Sequence, residues 1–196
     1  MAVILLVVIA NLCLPIALRA QDSPEPPQES SEERPELRVG ALDGPFRLDG
    51  ILDEAVWESA EAIESLTMTE PVEGGDLVGM TRIRVLASPT ALIIGVEAFD
   101  PEPDGIVAYS VIRDPHLDRE DHIKFLLDPF LDDRSGYIFA INPRGARFDA
   151  LVANRGEGED GRWDAVWEAA TSSDEYGWYA EIRIPVQSLN FSASLR

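Results

Sequence analysis

Cysteine, histidine and basic charge are all scarce in this chain. Its 196 residues hold one cysteine, two histidines and 16 Lys and Arg, against 36 Asp and Glu. The lone thiol, Cys13, excludes an internal disulfide framework, so the fold must rest on core packing or on metal. The net charge of −20 excludes nucleic acid and anionic lipid as electrostatic partners, because both need Lys and Arg to neutralise phosphate. His116 and His122 lie near Asp118 and Asp121, but their spacing is loose for a transition-metal site. No glycine-rich phosphate loop and no nucleophile elbow occurs. Carboxylates are plentiful, so a glycosidase pair stays open by counting, yet nothing marks one pair as buried.

Cys13 sits in an apolar run over residues 2–18, broken by Asn11 and Pro15. Ala17-Leu18-Arg19-Ala20 offers a small-residue exit, so residues 1–20 are expected to be a secretory signal peptide. The run is short for a membrane span. Export to the periplasm, the outer membrane or the exterior follows as an expectation. Residues 21–36 are acidic, rich in proline, and have no apolar residue beyond those prolines. Such a stretch buries too little surface to offset its ordering entropy, so a disordered tether is expected.

From residue 37 on, short apolar alternations dominate. Phe46-Arg47-Leu48 suggests a strand, Asp49-Gly50 a turn, and residues 53–60 one short helix with Asp53 as N-cap and Trp57 plugging the core. Thr81, Ile83 and Val85 alternate with Arg82, Arg84 and Leu86, and Ser88-Pro89-Thr90 returns the chain as a hairpin through Leu92, Ile94, Val96 and Ala98. The Ile93-Ile94-Gly95 run suggests burial on both faces or a close backbone approach. Residues 100–105 form a proline loop and residues 106–111 a further strand.

The stretch 118–128, Asp-Arg-Glu-Asp-His-Ile-Lys-Phe-Leu-Leu-Asp, runs an acidic cluster into an alternating strand. Ile123, Phe125 and Leu127 are expected inside, with Lys124, Leu126 and Asp128 displayed. Any binding site should lie on that displayed face or at its acidic end. Tyr137, Phe139 and Ile141 share a face, Asn142-Pro143-Arg144-Gly145 is a turn, and residues 147–152 return. Residues 156–162 are an acidic glycine loop, and residues 166–172 and 178–185 are strands. In the last, Trp178, Ala180, Ile182 and Ile184 point inward, and Tyr179, Glu181 and Arg183 outward. Regular short strands with turn signals imply an all-β fold, an antiparallel β-sandwich of jelly-roll type.

Several of these segments together resemble one family. They are residues 48–57 (a DGxxDExxW pattern), 83–86, 92–101, 121–128 and 180–185, with Ser188-Leu189-Asn190-Phe191. The pattern is similar to the family 9 carbohydrate-binding module. The variant that opens bacterial outer-membrane-associated proteins is closer, through residues 142–145 and Trp163-Asp164-Ala165-Val166-Trp167. The resemblance implies sugar binding without catalysis, often with structural calcium, in carbohydrate breakdown. It also implies a β-barrel region following the module as a partner.

The family's paired tryptophan clamp has no counterpart here. Its first position falls near Asp118, a family glutamate falls near Lys124, and its second tryptophan would lie beyond Arg196. The sandwich is therefore expected to lack its last strand, as a piece of a longer protein. Sugar stacking then falls to other aromatics, Trp163 first, with Tyr109, Tyr137 and Tyr179, while Arg113 and Lys124 could donate to hydroxyls. For calcium, Asp100, Glu102, Asp104, Asp118 and Asp121 are the candidate ligands, and Glu157, Glu159 and Asp160 a second set. The rival readings are an interaction head on an outer-membrane barrel and part of a glycoside hydrolase.

Overall fold

Strand pairing organises the chain into two sheets. The computed structural model describes residues 37–189, except positions 59, 65, 69, 70, 133 and 154–157. The expected signal peptide and tether, Glu157, Asn190 and Phe191 lie outside the described residues. The elements are β1 (Gly40–Ala41), α1 (Ala55–Glu58), β2 (Ala62–Ile63), β3 (Met80–Ala87), β4 (Ala91–Phe99), β5 (Ile123–Leu127), β6 (Gly136–Ile141), β7 (Arg147–Ala153), β8 (Gly158–Asp160), β9 (Glu168–Asp174) and β10 (Gly177–Pro185). One sheet has the order β1-β3-β4-β10-β9, with β2 also on β3; the other runs β5-β6-β7-β8. All pairs are antiparallel except β1 with β3.

The main core lies where the inward faces meet. Ile94 and Val96 of β4 and Trp178, Ala180, Ile182 and Ile184 of β10 share it with Tyr137, Phe139 and Ile141 of β6. Side chains two apart on a strand share a face, and these residues follow that period. Phe139 is the hub: Phe125 stacks on it at 5.6 Å, and Trp167 meets it edge-on at 5.3 Å.

A second core covers the outer face of the larger sheet. Val56, Trp57 and Ala60 pack there on Leu86, Ala91 and Ile93. Strand β4 is thus buried on both faces, as its Ile93-Ile94-Gly95 run suggests. Gly95 lies under the Trp57 ring, where an added Cβ would come within 2.8 Å of Trp57 Cη2. Truncating a buried tryptophan typically costs about 3–5 kcal/mol, so Trp57 holds much of this second core.

Several expectations need correction. Phe46-Arg47-Leu48 forms no strand, and the helix covers four residues rather than 53–60. Residues 106–111 join neither sheet, because side chains take their amides: Asp121 Oδ2 accepts from Val107 N at 2.6 Å, and Glu120 Oε2 from Tyr109 N at 2.8 Å and Ser110 N at 3.0 Å. The acidic glycine loop contributes β8, paired with β7, and the strand expected at 166–172 runs from Glu168 to Asp174. Strand β5 is an edge strand, so Ile123, Phe125 and Leu127 face the core but are only half-buried.

Glu181 points toward the second core and is fully buried, not exposed. Its Oε2 accepts from Asp49 N and Gly50 N, both at 2.9 Å, and its Oε1 from Trp57 Nε1 at 3.1 Å. The DGxxDExxW stretch is thereby pinned to β10. Burial pushes the Glu181 carboxyl up, while these donors oppose that shift.

Candidate functional site

A cleft of about 270 Å³ opens at one end of the sandwich, between the start of β3, the end of β4 and the acidic entrance of β5. Its floor is apolar, with Ile106, Ile123 and Trp178, and its rim carries Val78, Asp100, Asp121 and His122. A shallower depression shares Val78, Gly79, Phe99 and Asp100 with it and continues to Glu175 and Tyr176. The two hollows adjoin at those four shared residues, at the same end of the sandwich, and are called the end groove below.

Local chemistry builds each wall. The β9–β10 hairpin turns through Asp174, whose Oδ1 accepts from Tyr176 N at 2.8 Å. Gly177 follows at φ 153°, and a Cβ there would sit 2.0 Å from the Ala98 carbonyl oxygen, so only glycine fits. The Tyr176 carbonyl accepts from Asp100 N at 2.9 Å, which ties the hairpin tip to the end of β4. Tyr176 itself is 61% exposed beside the groove. Its ring can take the C–H face of a flat, hydroxylated ring, while carboxylates nearby accept hydroxyl protons.

The entrance of β5 is held by Glu120. Burial would raise its carboxyl, but bonds from Ser110 Oγ, Ser110 N, Tyr109 N and Asn142 Nδ2 outweigh burial and hold it down at about 2. His122 Nδ1 lies 2.8 Å from the Glu120 carbonyl oxygen. A carbonyl can only accept, so Nδ1 is the donor and Nε2 is left as the ring's other polar atom.

Only part of the expected site comes together. Asp100 and Asp121 line the groove, at the acidic end of the strand where a site was expected. Glu102 donates its amide to Asp100 Oδ1 at 2.7 Å, and Asp104 and Asp118 are exposed outside the groove. Among the described residues, no three His, Cys, Asp or Glu side chains are grouped so as to hold a metal ion.

The expected sugar contacts scatter. Tyr137 is 3% exposed and meets half-buried Trp163 at a tilt, ring centroids 4.8 Å apart, so both rings serve the core. Arg113 is bound by Asp149 at 2.5 Å and by Asp164. Lys124 pairs with Glu159 at 2.8 Å. Tyr109 is exposed but outside the groove. Tyr179 lies outside it too, its phenol held by Asp174 at 3.1 Å and, chiefly by burial, pushed up to about 12.

Tyr176, Val78 and the site role of His122 escaped the sequence reading. The Asp174-Glu175-Tyr176-Gly177 turn was the available signal for the first. An aromatic on an Asp–Gly turn between two strands is displayed by geometry.

No family model matches the sequence, and no curated protein matches it. Solved structures do. A family 9 carbohydrate-binding module from Caldicellulosiruptor kristjanssonii, in complex with cellotriose, superposes with a TM-score of 0.52 at 14% identity, over 75% of this chain and 66% of that one. The same module in complex with glucose gives 0.49 at 17% identity over the same shares. The match thus spans just under two thirds of that module. This chain is an all-β sandwich with the fold of the family 9 carbohydrate-binding modules.

Proposed function

We propose that the chain binds carbohydrate without transforming it, through the end groove between β3, β4, β5 and the β9–β10 turn. The observation that carries this is an exposed aromatic ring, Tyr176, beside a half-open apolar groove rimmed by Asp100, Asp121 and His122. The fold it shares with a module seen holding cellotriose supports the reading. The ring supplies a stacking face, the carboxylates and the imidazole accept hydroxyl protons, and the floor strips water from the sugar's apolar side.

The module serves carbohydrate breakdown by holding a glycan for an attached or neighbouring partner. It works outside the cytoplasm, with residues 1–20 as its export signal, a reading supported by the apolar run and the Ala17–Ala20 pattern alone.

Calorimetric titration with soluble β-glucan oligosaccharides tests the binding. Saturable heat is expected from the natural chain. Tyr176→Ala should weaken binding about three- to tenfold, the usual worth of one aromatic contact. Because Tyr176 is exposed, its loss should leave the thermal midpoint unchanged. An array of glycans giving no binding at all would defeat the proposal. Release of reducing ends by the purified chain would replace it with a hydrolase.

A further inference from the structure

We infer that the end groove selects sugars by charge, admitting neutral and amine-bearing units and rejecting those that carry a carboxylate or sulfate; this rests on the sugar-binding reading above. The ionisable residues lining the cleft and the adjoining hollow are Asp100, Asp121, Glu175, Tyr176 and His122, and among the described residues no Lys or Arg lines either. Asp100 is fixed through Oδ1 by Glu102 N at 2.7 Å, and Asp121 through Oδ2 by Val107 N at 2.6 Å. Each carboxylate is thus oriented by one oxygen and offers the other. His122 directs Nδ1 to the Glu120 carbonyl, which leaves Nε2 as its other polar atom.

The charged and ring groups around the groove therefore ask for donors. Hydroxyls supply them. An ammonium supplies them with the opposite charge, while a uronate or sulfate brings acceptors and like charge. The apolar floor of Ile106, Ile123 and Trp178 lowers the local dielectric and sharpens that discrimination.

Several of the chain's cations are tied to acids or carbonyls, and Arg119, exposed two residues before Asp121, does not line the groove. Arg113 is held by Asp149 and Asp164, Arg82 and Arg84 by Glu97, and Lys124 by Glu159. Arg147 donates to the Trp167 carbonyl and lies over that residue's ring at 5.3 Å. The chain's net charge of −20 adds a long-range field of the same sign.

The test titrates the full chain with three β-1,4-linked oligosaccharides of equal length: glucose units, glucosamine units with free amines, and glucuronate units. Measurements run at low salt and at about 0.5 M. The amine-bearing oligomer should bind at least as tightly as the neutral one, and the acidic one at least about tenfold more weakly, with the gaps closing at high salt. Glu175→Lys, on the exposed hairpin tip, should narrow the gap between neutral and acidic ligands. Asp100→Asn with Asp121→Asn should do the same, read as a ratio of affinities within the variant. Equal affinity for the neutral and acidic oligomers would overturn the charge selection and leave sugar binding standing. Failure of all three to bind would remove both.

Discussion

Two buried carboxylates, one on each sheet of the sandwich, each accept a tryptophan indole N–H. Glu181 takes Trp57 Nε1 with the amides of Asp49 and Gly50. Asp149 takes Trp167 Nε1 at 3.0 Å and Ala165 N at 2.6 Å, and pairs with Arg113. Removing such an acceptor strands donors that water cannot reach. Glu181→Ala should therefore cost about 1–3 kcal/mol for each stranded donor, measured by chemical denaturation. Gly95→Ala has a different cause, a methyl driven into Leu52 and Trp57. Trp57 cannot swing away without losing Glu181, so a loss of about 1–3 kcal/mol is expected in the same assay. The burial of Trp57 and the closeness of Gly95 were both legible from the residues. The Glu181 acceptor was not, because strand alternation only assigned it to the outer face. That face turned out to be covered by residues 124 or more positions earlier in the chain.

At the scale of the element, the stretch 106–112 shows how side chains can replace a ladder. Val107, Tyr109 and Ser110 give their amides to Asp121 and Glu120 instead of to a strand. The stretch therefore runs beside the β5 entrance without joining a sheet, and its pattern could not reveal this. An apolar run of five or six residues looks the same whether carbonyls or carboxylates take its amides. A pH dependence results. Glu120 is depressed in the folded chain to about 2, so its stabilisation is fully present above the ordinary glutamate value near 4.5 and is lost as pH falls toward about 2. Glu120→Gln should flatten that acid limb, seen as a smaller drop in thermal midpoint between about pH 4.5 and 2. Glu181, raised by burial, has the opposite sign: its charge costs stability once pH rises above its unfolded value, and protonation relieves that cost.

For the whole molecule, charge and topology set the limits. A chain of net charge −20 repels itself, so raising salt from low ionic strength to about 0.5 M should raise the thermal midpoint. A fall over the same range would mean that specific ion pairs, such as those of Glu97 with Arg82 and Arg84, outweigh the repulsion. The sequence by itself determined the strand-rich class, most strand positions, the β3–β4 hairpin, the inward face of β10 and the burial of Trp57. Period-two patterning and turn residues act within about ten positions, and the chain spells them out directly. Tertiary structure alone decided which buried acids hold which indoles, that β5 is an edge, that Tyr137 and Trp163 serve the core, and that Asp100, Asp121 and His122 line one cleft with Tyr176 in the adjoining hollow. Those facts depend on how two sheets are stacked and on which loops meet at their ends, and no local periodicity encodes the distance between residues 100, 121 and 176.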